Sequence, residues 1–301
     1  YYRMAHRHRA SINLVPYNYY GELLPLYAPP VAGKGKDIHI VEWSEWDARF
    51  GDYFDGTAFR GLPRDGVPVD IFYIPIFENW PCEINKYYKY KPVTYKYPDI
   101  INHHARYAPP IEDAFPEEYK EAFSAMVREF DRHISEKGWN RTQFKLYLNN
   151  KYYSRRPGPR ANSTTSWWCL DEPFDRDDFL AVRFFARLFK KGRLPDSSAD
   201  LVFQGDISLI NLQFDFFDDM LDLIRVSSRF YTYNASLMRY AKRFGVQVRN
   251  YSVPTRLDEP NINATLWYWR VYLNGGTGLL PWNSIGQPES WDTPTPTSII
   301  Y

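Results

Sequence analysis

The chain has 301 residues, of which 44% are hydrophobic, so it can bury a sizeable core as one large α/β domain or two ordinary ones. Its 37 Lys and Arg residues and 36 Asp and Glu residues give a net charge of +1. Because the two charges nearly cancel, the protein has no overall electrostatic field that would attract nucleic acid or an anionic membrane surface. We therefore expect no nucleic-acid partner. No run of about 18 apolar residues is present, so we also expect no membrane span.

Helix-like and strand-like segments alternate along the chain, which is the pattern of β/α units around a parallel sheet. Residues 116–138 open with proline and acids, keep one apolar face and end at Gly138, so they predict a helix. The other predicted helices cover 176–192, 211–221, 235–245 and 263–276. Seven segments have the pattern of buried barrel strands: 11–17, 70–77, 144–150, 201–206, 223–228, 246–252 and 278–284.

This order predicts a TIM-type (β/α)8 barrel that apparently lacks its first strand, since only seven strands are counted and the chain opens in what resembles a helix end. Two loop-rich stretches, 17–68 and 77–116, predict long excursions at the C-terminal face of the barrel. A short hairpin is expected at residues 37–43. We expect a barrel domain over 1–290 and an extended tail over 291–301, where proline and threonine dominate.

Aromatic residues make up 18% of the chain, including 10 Trp and 25 Tyr. Such flat rings with polar edges suit sugars, whose C–H faces stack on them, but they also suit bases and proline-rich peptides. In a barrel, reactive residues collect at the C-terminal ends of the strands. The candidates for substrate binding at those ends are Glu78, Asn79, Trp80, Asn149, Asp206, Asn250 and Trp282.

Two adjacent acids, Asp171 and Glu172, end the apolar run that begins at Trp167. Pro173 keeps Glu172 out of helical geometry and holds the pair on an extended corner. Hydrolysis of a glycosidic bond needs an acid for the leaving oxygen and a second group that stabilises the sugar carbon, or that assists an acetamido group of the substrate. The alternative is that the two acids cap the helix that follows, because acidic residues before the first turn of a helix commonly do so.

Four segments, "LDEPFDRDDFLAVRFFARLF", "VFQGDIS", "FENWP" and "NGGTGLLPWNSIG", resemble the barrel domain of the β-N-acetylgalactosaminidase family, glycoside hydrolase family 123, and its uncharacterised relatives. The resemblance covers most of residues 10 to 290. It implies that Glu172 is the acid/base, that Asp171 assists an acetamido nucleophile, and that no cofactor is needed. Residues 152–168 intervene between the predicted strand that ends near Lys151 and the acid pair, which predicts that Glu172 lies on a loop.

The sequence therefore supports two hypotheses. The first is a secreted or periplasmic glycoside hydrolase that cleaves a 2-acetamido sugar linkage by substrate-assisted retention. The second is a catalytically inactive barrel that binds glycans or serves as a structural subunit of an extracellular assembly. Carbohydrate is the expected partner in both, and a second copy or an assembly partner is one way to supply the missing strand.

The histidines, cysteines and asparagine sequons bear on metal binding, disulfide formation and glycosylation. The histidine pairs at 6 and 8 and at 103 and 104 lack a clear third ligand, so we expect no metal site. The two cysteines, Cys82 and Cys169, leave open either one disulfide or two free thiols. Five glycosylation sequons are consistent with secretion or with chance, at Asn140, Asn162, Asn234, Asn250 and Asn263.

Overall fold

The structure is a computed structural model. It describes residues 1–12, 14–18, 21–24, 26–88, 110–150, 168–173, 176–208, 217–227, 235–252 and 260–281. Within these ranges, no helix combines the length and the apolar character that crossing a membrane requires.

The fold is mixed α/β and contains a six-stranded sheet in which hydrogen-bonded neighbours follow chain order. The strands of this sheet are β3 Ile71–Tyr73, β4 Gln143–Tyr147, β5 Leu201–Asp206, β6 Leu223–Ser227, β7 Gln247–Ser252 and β8 Gly278–Pro281. The pairs of β3 with β4, β5 with β6, β6 with β7 and β7 with β8 are parallel. This arrangement is compatible with part of a TIM-type barrel.

Helices alternate with these strands. They are α1 Tyr2–Arg7, α2 Ser44–Phe54, α3 Ile84–Tyr87, α4 Ile111–Ala114, α5 Glu117–Glu136, α6 Arg176–Gly192, α7 Ala235–Phe244 and α8 Ile262–Leu273. A separate antiparallel pair joins β1 Val31–Ala32 to β2 His39–Ile40 and confirms the short hairpin expected near residues 37–43.

The chain divides into two compact units, Tyr1–Phe203 and Gln204–Tyr301. The first unit contains β1 to β4, α1 to α6 and the start of β5. The second contains the end of β5, β6 to β8, α7 and α8. The prediction of one domain over residues 1–290 stays a prediction.

Six of the seven predicted barrel strands are present. The prediction of a strand over 11–17 is wrong. Of its described residues, only Tyr17 joins a ladder, through an isolated bridge to Leu23. Pro16 lacks an N–H donor, and the chain turns back on itself at this point. Leu24 N–H donates to the Pro16 carbonyl (2.8 Å), and Asn18 N–H donates to the Glu22 carbonyl (3.0 Å).

The predicted helices agree with α5, α6, α7 and α8 to within a few residues. The expected helix over 211–221 is not confirmed, because its described part, residues 217–220, forms a bend and a turn. Residues 211–216 lie outside the described residues. The aromatic and acidic residues of this segment are compatible with a turn as well as with a helix, so their periodicity does not distinguish the two.

Close packing between α5 and α6 builds much of the first unit's core. Ser124 on α5 donates from its hydroxyl to the Leu188 carbonyl on α6 at 2.8 Å. At the end of α6, Gly192 lies so near α5 that an added Cβ would come within 2.5 Å of the Ser124 carbonyl oxygen and 2.6 Å of Val127 Cβ. Glycine is therefore required at this position by space and not by backbone angle.

We expect Gly192→Ala to lower the free energy of unfolding by roughly 1–3 kcal/mol, since the new methyl group would force the two helices apart. The matched control is Gly51→Ala on α2, where the added Cβ meets Trp139 at an ordinary 3.4 Å. That change should raise stability by roughly 0.5–1 kcal/mol, because glycine weakens a helix interior. Denaturant unfolding of both variants measures the contrast, and equal effects would contradict this account of the packing.

Candidate functional site

Polar side chains of the first unit gather where β3 and β4 end. Because β3 and β4 are parallel and in register from Ile71 with Gln143, their carboxyl ends meet at one edge. Five residues at or near these ends form a cluster, which we call the strand-end cluster: Tyr17, Glu78, Tyr147, Asn150 and Asp171. All five are buried.

The acid pair is tied to the end of β4 by backbone hydrogen bonds. After the segment 151–167, which lies outside the described residues, the chain returns to β4. There the N–H groups of Leu170 and Asp171 both donate to the Asn150 carbonyl, at 2.9 and 3.2 Å. Asp171 thus lies beside the strand end although 20 residues separate it from Asn150 in the sequence.

Asp171 has a buried hydrogen-bonding partner on the strand. The Tyr147 hydroxyl, at the last residue of β4, donates to Asp171 Oδ1 at 2.6 Å. At the start of α6, Asp178 accepts the backbone N–H of Cys169 at 2.9 Å. Asp178 thus ties the start of α6 to the segment before the acid pair, and Asp171 is oriented toward β4 by its bond with Tyr147.

Glu172 adopts a left-handed backbone conformation, with a φ of 59°, so the extended geometry expected from Pro173 is wrong for this residue. Such a conformation is uncommon for a residue that is not glycine, and strained residues of this kind cluster at functional sites. The Cys169 thiol stabilises the turn by donating to the Asp171 carbonyl at 2.9 Å, and it also approaches the Glu172 carbonyl at 3.6 Å. Glu172 is half-buried, whereas Asp171 is buried, so the two adjacent acids have different environments.

Glu78 is a third carboxyl group in this region, and it is 1% exposed. Burial raises the pKa of Glu78 to about 7, although hydrogen bonds from its own backbone and from the Asn150 side chain act in the opposite direction. Its Oε2 atom has no hydrogen-bonding partner among the described residues. Because Asn150 also accepts the Asp171 N–H, Glu78 supports the residue to which the acid pair is anchored.

Tyr17 packs between these groups and stacks on Phe77, with ring centroids 4.1 Å apart. Burial raises the pKa of Tyr17 well above its ordinary value, and the nearby Glu78, Tyr73 and Asp171 add to this shift. The phenol therefore stays neutral and keeps its proton over the physiological range.

The other predicted residues of the first unit lie at the edge of this cluster. Asn79 has a structural role, since its amide donates to the Gly21 carbonyl (2.9 Å) and its Oδ1 accepts the Ile84 N–H (2.8 Å). Trp80 is half-buried and packs edge-on against Phe130, and Asn149 is half-buried.

Asp206 and Asn250, predicted to bind substrate, are both buried in the second unit. Asp206 Oδ2 accepts from Arg225, with Nε at 2.8 Å and one terminal nitrogen at 2.5 Å. Asn250 donates to the Val226 carbonyl (2.9 Å) and accepts the Trp267 indole N–H (2.5 Å). These contacts give both residues a structural role, and they place Asn250 where a glycan cannot be attached. Trp282 lies outside the described residues.

Cys82 and Cys169 are both buried and are not joined to each other, so the disulfide left open by the sequence does not form here. Cys169 instead bonds to the turn that carries the acid pair. Burial raises the pKa of the Cys82 thiol to about 11, which leaves it protonated and unreactive. In the described ranges, no group of three or more His, Cys, Asp or Glu side chains is placed to hold a metal ion.

Sequence reasoning did not include Tyr17, Tyr147 and Asn150 among the site residues. Asn150 and Tyr17 follow predicted strand ends, as did the chosen candidates, so their positions were a usable signal. Tyr147 gave none, because it lies within the strand and only its contact with Asp171 reveals its part in the site.

Comparison of the sequence with protein-family models and with curated proteins gave no match. The resemblance to the β-N-acetylgalactosaminidase family therefore rests on the four quoted segments.

Proposed function

We propose that this protein is a glycoside hydrolase that cleaves a 2-acetamido sugar linkage with retention of configuration, using the acetamido group of the substrate as the nucleophile. The observation that carries this proposal is the contrast within the acid pair. Asp171 is buried and oriented by Tyr147, while Glu172 is half-buried on a left-handed turn residue. Two carboxyl groups in different environments suit two different chemical roles.

Asp171 would orient and polarise the acetamido group. The carboxylate, oriented by the Tyr147 hydroxyl, would accept the N–H of that group. This interaction raises electron density on the acetamido carbonyl oxygen, which then attacks the anomeric carbon and forms a cyclic oxazolinium intermediate. The anchored turn is suited to this role, since substrate-assisted attack requires the amide to be held in one geometry.

Glu172 would act as the acid and then as the base. In the first step its proton passes to the glycosidic oxygen as the bond to the anomeric carbon breaks. In the second step the carboxylate takes a proton from a water molecule that attacks the same carbon and reopens the ring. Partial exposure would give the attacking water molecule access to the Glu172 carboxylate.

The surroundings of the pair would bind the sugar. Trp80 offers an aromatic face for stacking, and Asn149 offers an amide for a hydroxyl group. We assign Glu78 to support of Asn150, whose side chain donates to it and whose carbonyl anchors the acid pair. The parallel sheet would belong to a TIM-type barrel, and the protein would act outside the cytoplasm, in secreted or periplasmic form.

Two aryl glycosides that differ only at the 2-position test this proposal: one carries an acetamido group and the other a hydroxyl group. The protein should hydrolyse the first and leave the second essentially untouched, because only the first contains the nucleophile. Proton NMR of the initial product should show the configuration of the substrate.

Similar rates on both glycosides, or an inverted product, would contradict the substrate-assisted mechanism. Binding of the acetamido sugar without hydrolysis would instead support the inactive, glycan-binding alternative.

A further inference from the structure

The helix α8, in the second unit, is apolar on both of its sides. Trp267 and Val271 are buried against the unit. Its outer side carries a continuous stripe of exposed apolar residues: Ile262, Leu266, Tyr268, Trp269, Tyr272 and Leu273. We call these six residues the α8 stripe. An apolar helix face is normally covered, and α8 has only 12 residues, too few to cross a membrane.

A groove lies beside this stripe, between α8 and the start of β8. Its volume is about 530 Å³, and its lining includes Trp269, Tyr272, Gly278 and Leu279. β8 is the last strand in the sheet order, so the groove lies at the open edge of the described sheet. Both the groove and the stripe are thus parts of one surface, which joins the last strand of the described sheet to an apolar helix face.

The area of this surface matches what a stable dimer needs. Tyr268, Trp269 and Tyr272 are 52, 57 and 71% exposed. Since an aromatic side chain can bury roughly 150–250 Å², these three offer about 360 Å². The aliphatic members of the stripe bring the total to on the order of 700 Å², close to the roughly 800 Å² per partner of a standard interface.

Charge favours a second copy over other occupants. Arg270 is the only charged residue in the sequence of α8, so two copies of the helix would meet without strong repulsion. A single basic residue is also too little for a helix that adsorbs to membranes, which normally carries a face rich in lysine and arginine. In a dimer with two-fold symmetry, both partners use the same surface patch. Leu273, which is 74% exposed, is then available to enter the groove of the other copy.

We propose that the α8 stripe and its groove form the interface of a homodimer. The test uses the 301-residue chain in sedimentation equilibrium over a wide range of protein concentrations. Wild-type protein should pass from monomer to dimer as the concentration rises. Trp269→Glu and Tyr272→Glu should each raise the dimer dissociation constant by roughly 30-fold or more, as expected for the loss of a central aromatic contact.

The matched control is Val41→Glu, which changes an exposed apolar residue of the first unit (59% exposed) and should leave the dimer unaffected. Circular dichroism establishes that each variant is folded. A wild-type protein that stays monomeric at every concentration would overturn the proposal, and so would a dimer that both α8 variants leave intact. Flotation of a monomeric wild-type protein with lipid vesicles would likewise overturn it in favour of membrane adsorption.

Discussion

Glu172→Gln is expected to lower kcat on a phenyl 2-acetamido glycoside by roughly 10²- to 10⁴-fold, the usual contribution of a positioned proton donor. Glutamine keeps the shape of the side chain but cannot supply the proton. The loss should be much smaller on the dinitrophenyl glycoside, because that leaving group departs with little protonation. Steady-state kinetics on the two substrates measures the difference.

The control for Glu172 is Glu45→Gln on α2, an exposed carboxylate far along the chain from the acid pair, which should leave both rates unchanged. An unchanged rate in Glu172→Gln would remove this residue from the mechanism. Equal losses on the two substrates would indicate that the side chain supports the site without donating the proton.

Glu78→Gln is expected to make the stability of the protein less sensitive to a rise from acidic to neutral pH. Burial places the pKa of Glu78 at about 7 in the folded protein, above its ordinary value of 4.5. The folded state therefore binds more protons than the unfolded state between these values, and stability falls as the pH rises through this window. The stabilising contribution is complete below about pH 4.5 and is lost above about pH 7, a change on the order of 3 kcal/mol.

Denaturant unfolding at pH 5 and pH 8 measures this effect. The wild-type protein should lose more stability between the two values than the Glu78→Gln variant, whose amide cannot ionise. The Glu45→Gln variant serves again as the control and should follow the wild type, since its carboxyl group is exposed. The same pH dependence in Glu78→Gln and wild type would show that Glu78 is ionised at neutral pH.

Much of the fold could be predicted from the sequence because its pattern is strong and local. The predicted bounds of α6 and β5 agree with the structure, since a one-sided apolar period and a short apolar run are both clear signals. The segment 11–17 shows the limit of this reasoning. Its apolar residues have the pattern of a strand, but its hydrogen bonds lie within a local turn, where the Pro16 carbonyl accepts the Leu24 N–H.

The site was harder to predict, because it depends on contacts between segments that are distant in sequence. The acid pair could be found from the sequence and from the resemblance of its segment to the β-N-acetylgalactosaminidase family. Its position beside β4, however, depends on the Asn150 carbonyl accepting two backbone N–H groups. The same limit applies to Asp206. Its position after a strand resembles that of a ligand-binding residue, yet its partner is Arg225 on the neighbouring strand.

The most direct test of the mechanism is the binding of a stable mimic of the cyclised acetamido intermediate, measured by calorimetry with wild-type protein and with Asp171→Asn. Mimics of such intermediates bind tightly because the site is complementary to them. The wild type should bind the mimic, and Asp171→Asn should bind it at least roughly 10²-fold more weakly, in line with a lost hydrogen bond to a charged group. Equal affinity in the two proteins, or no binding by the folded wild type, would contradict the role of Asp171.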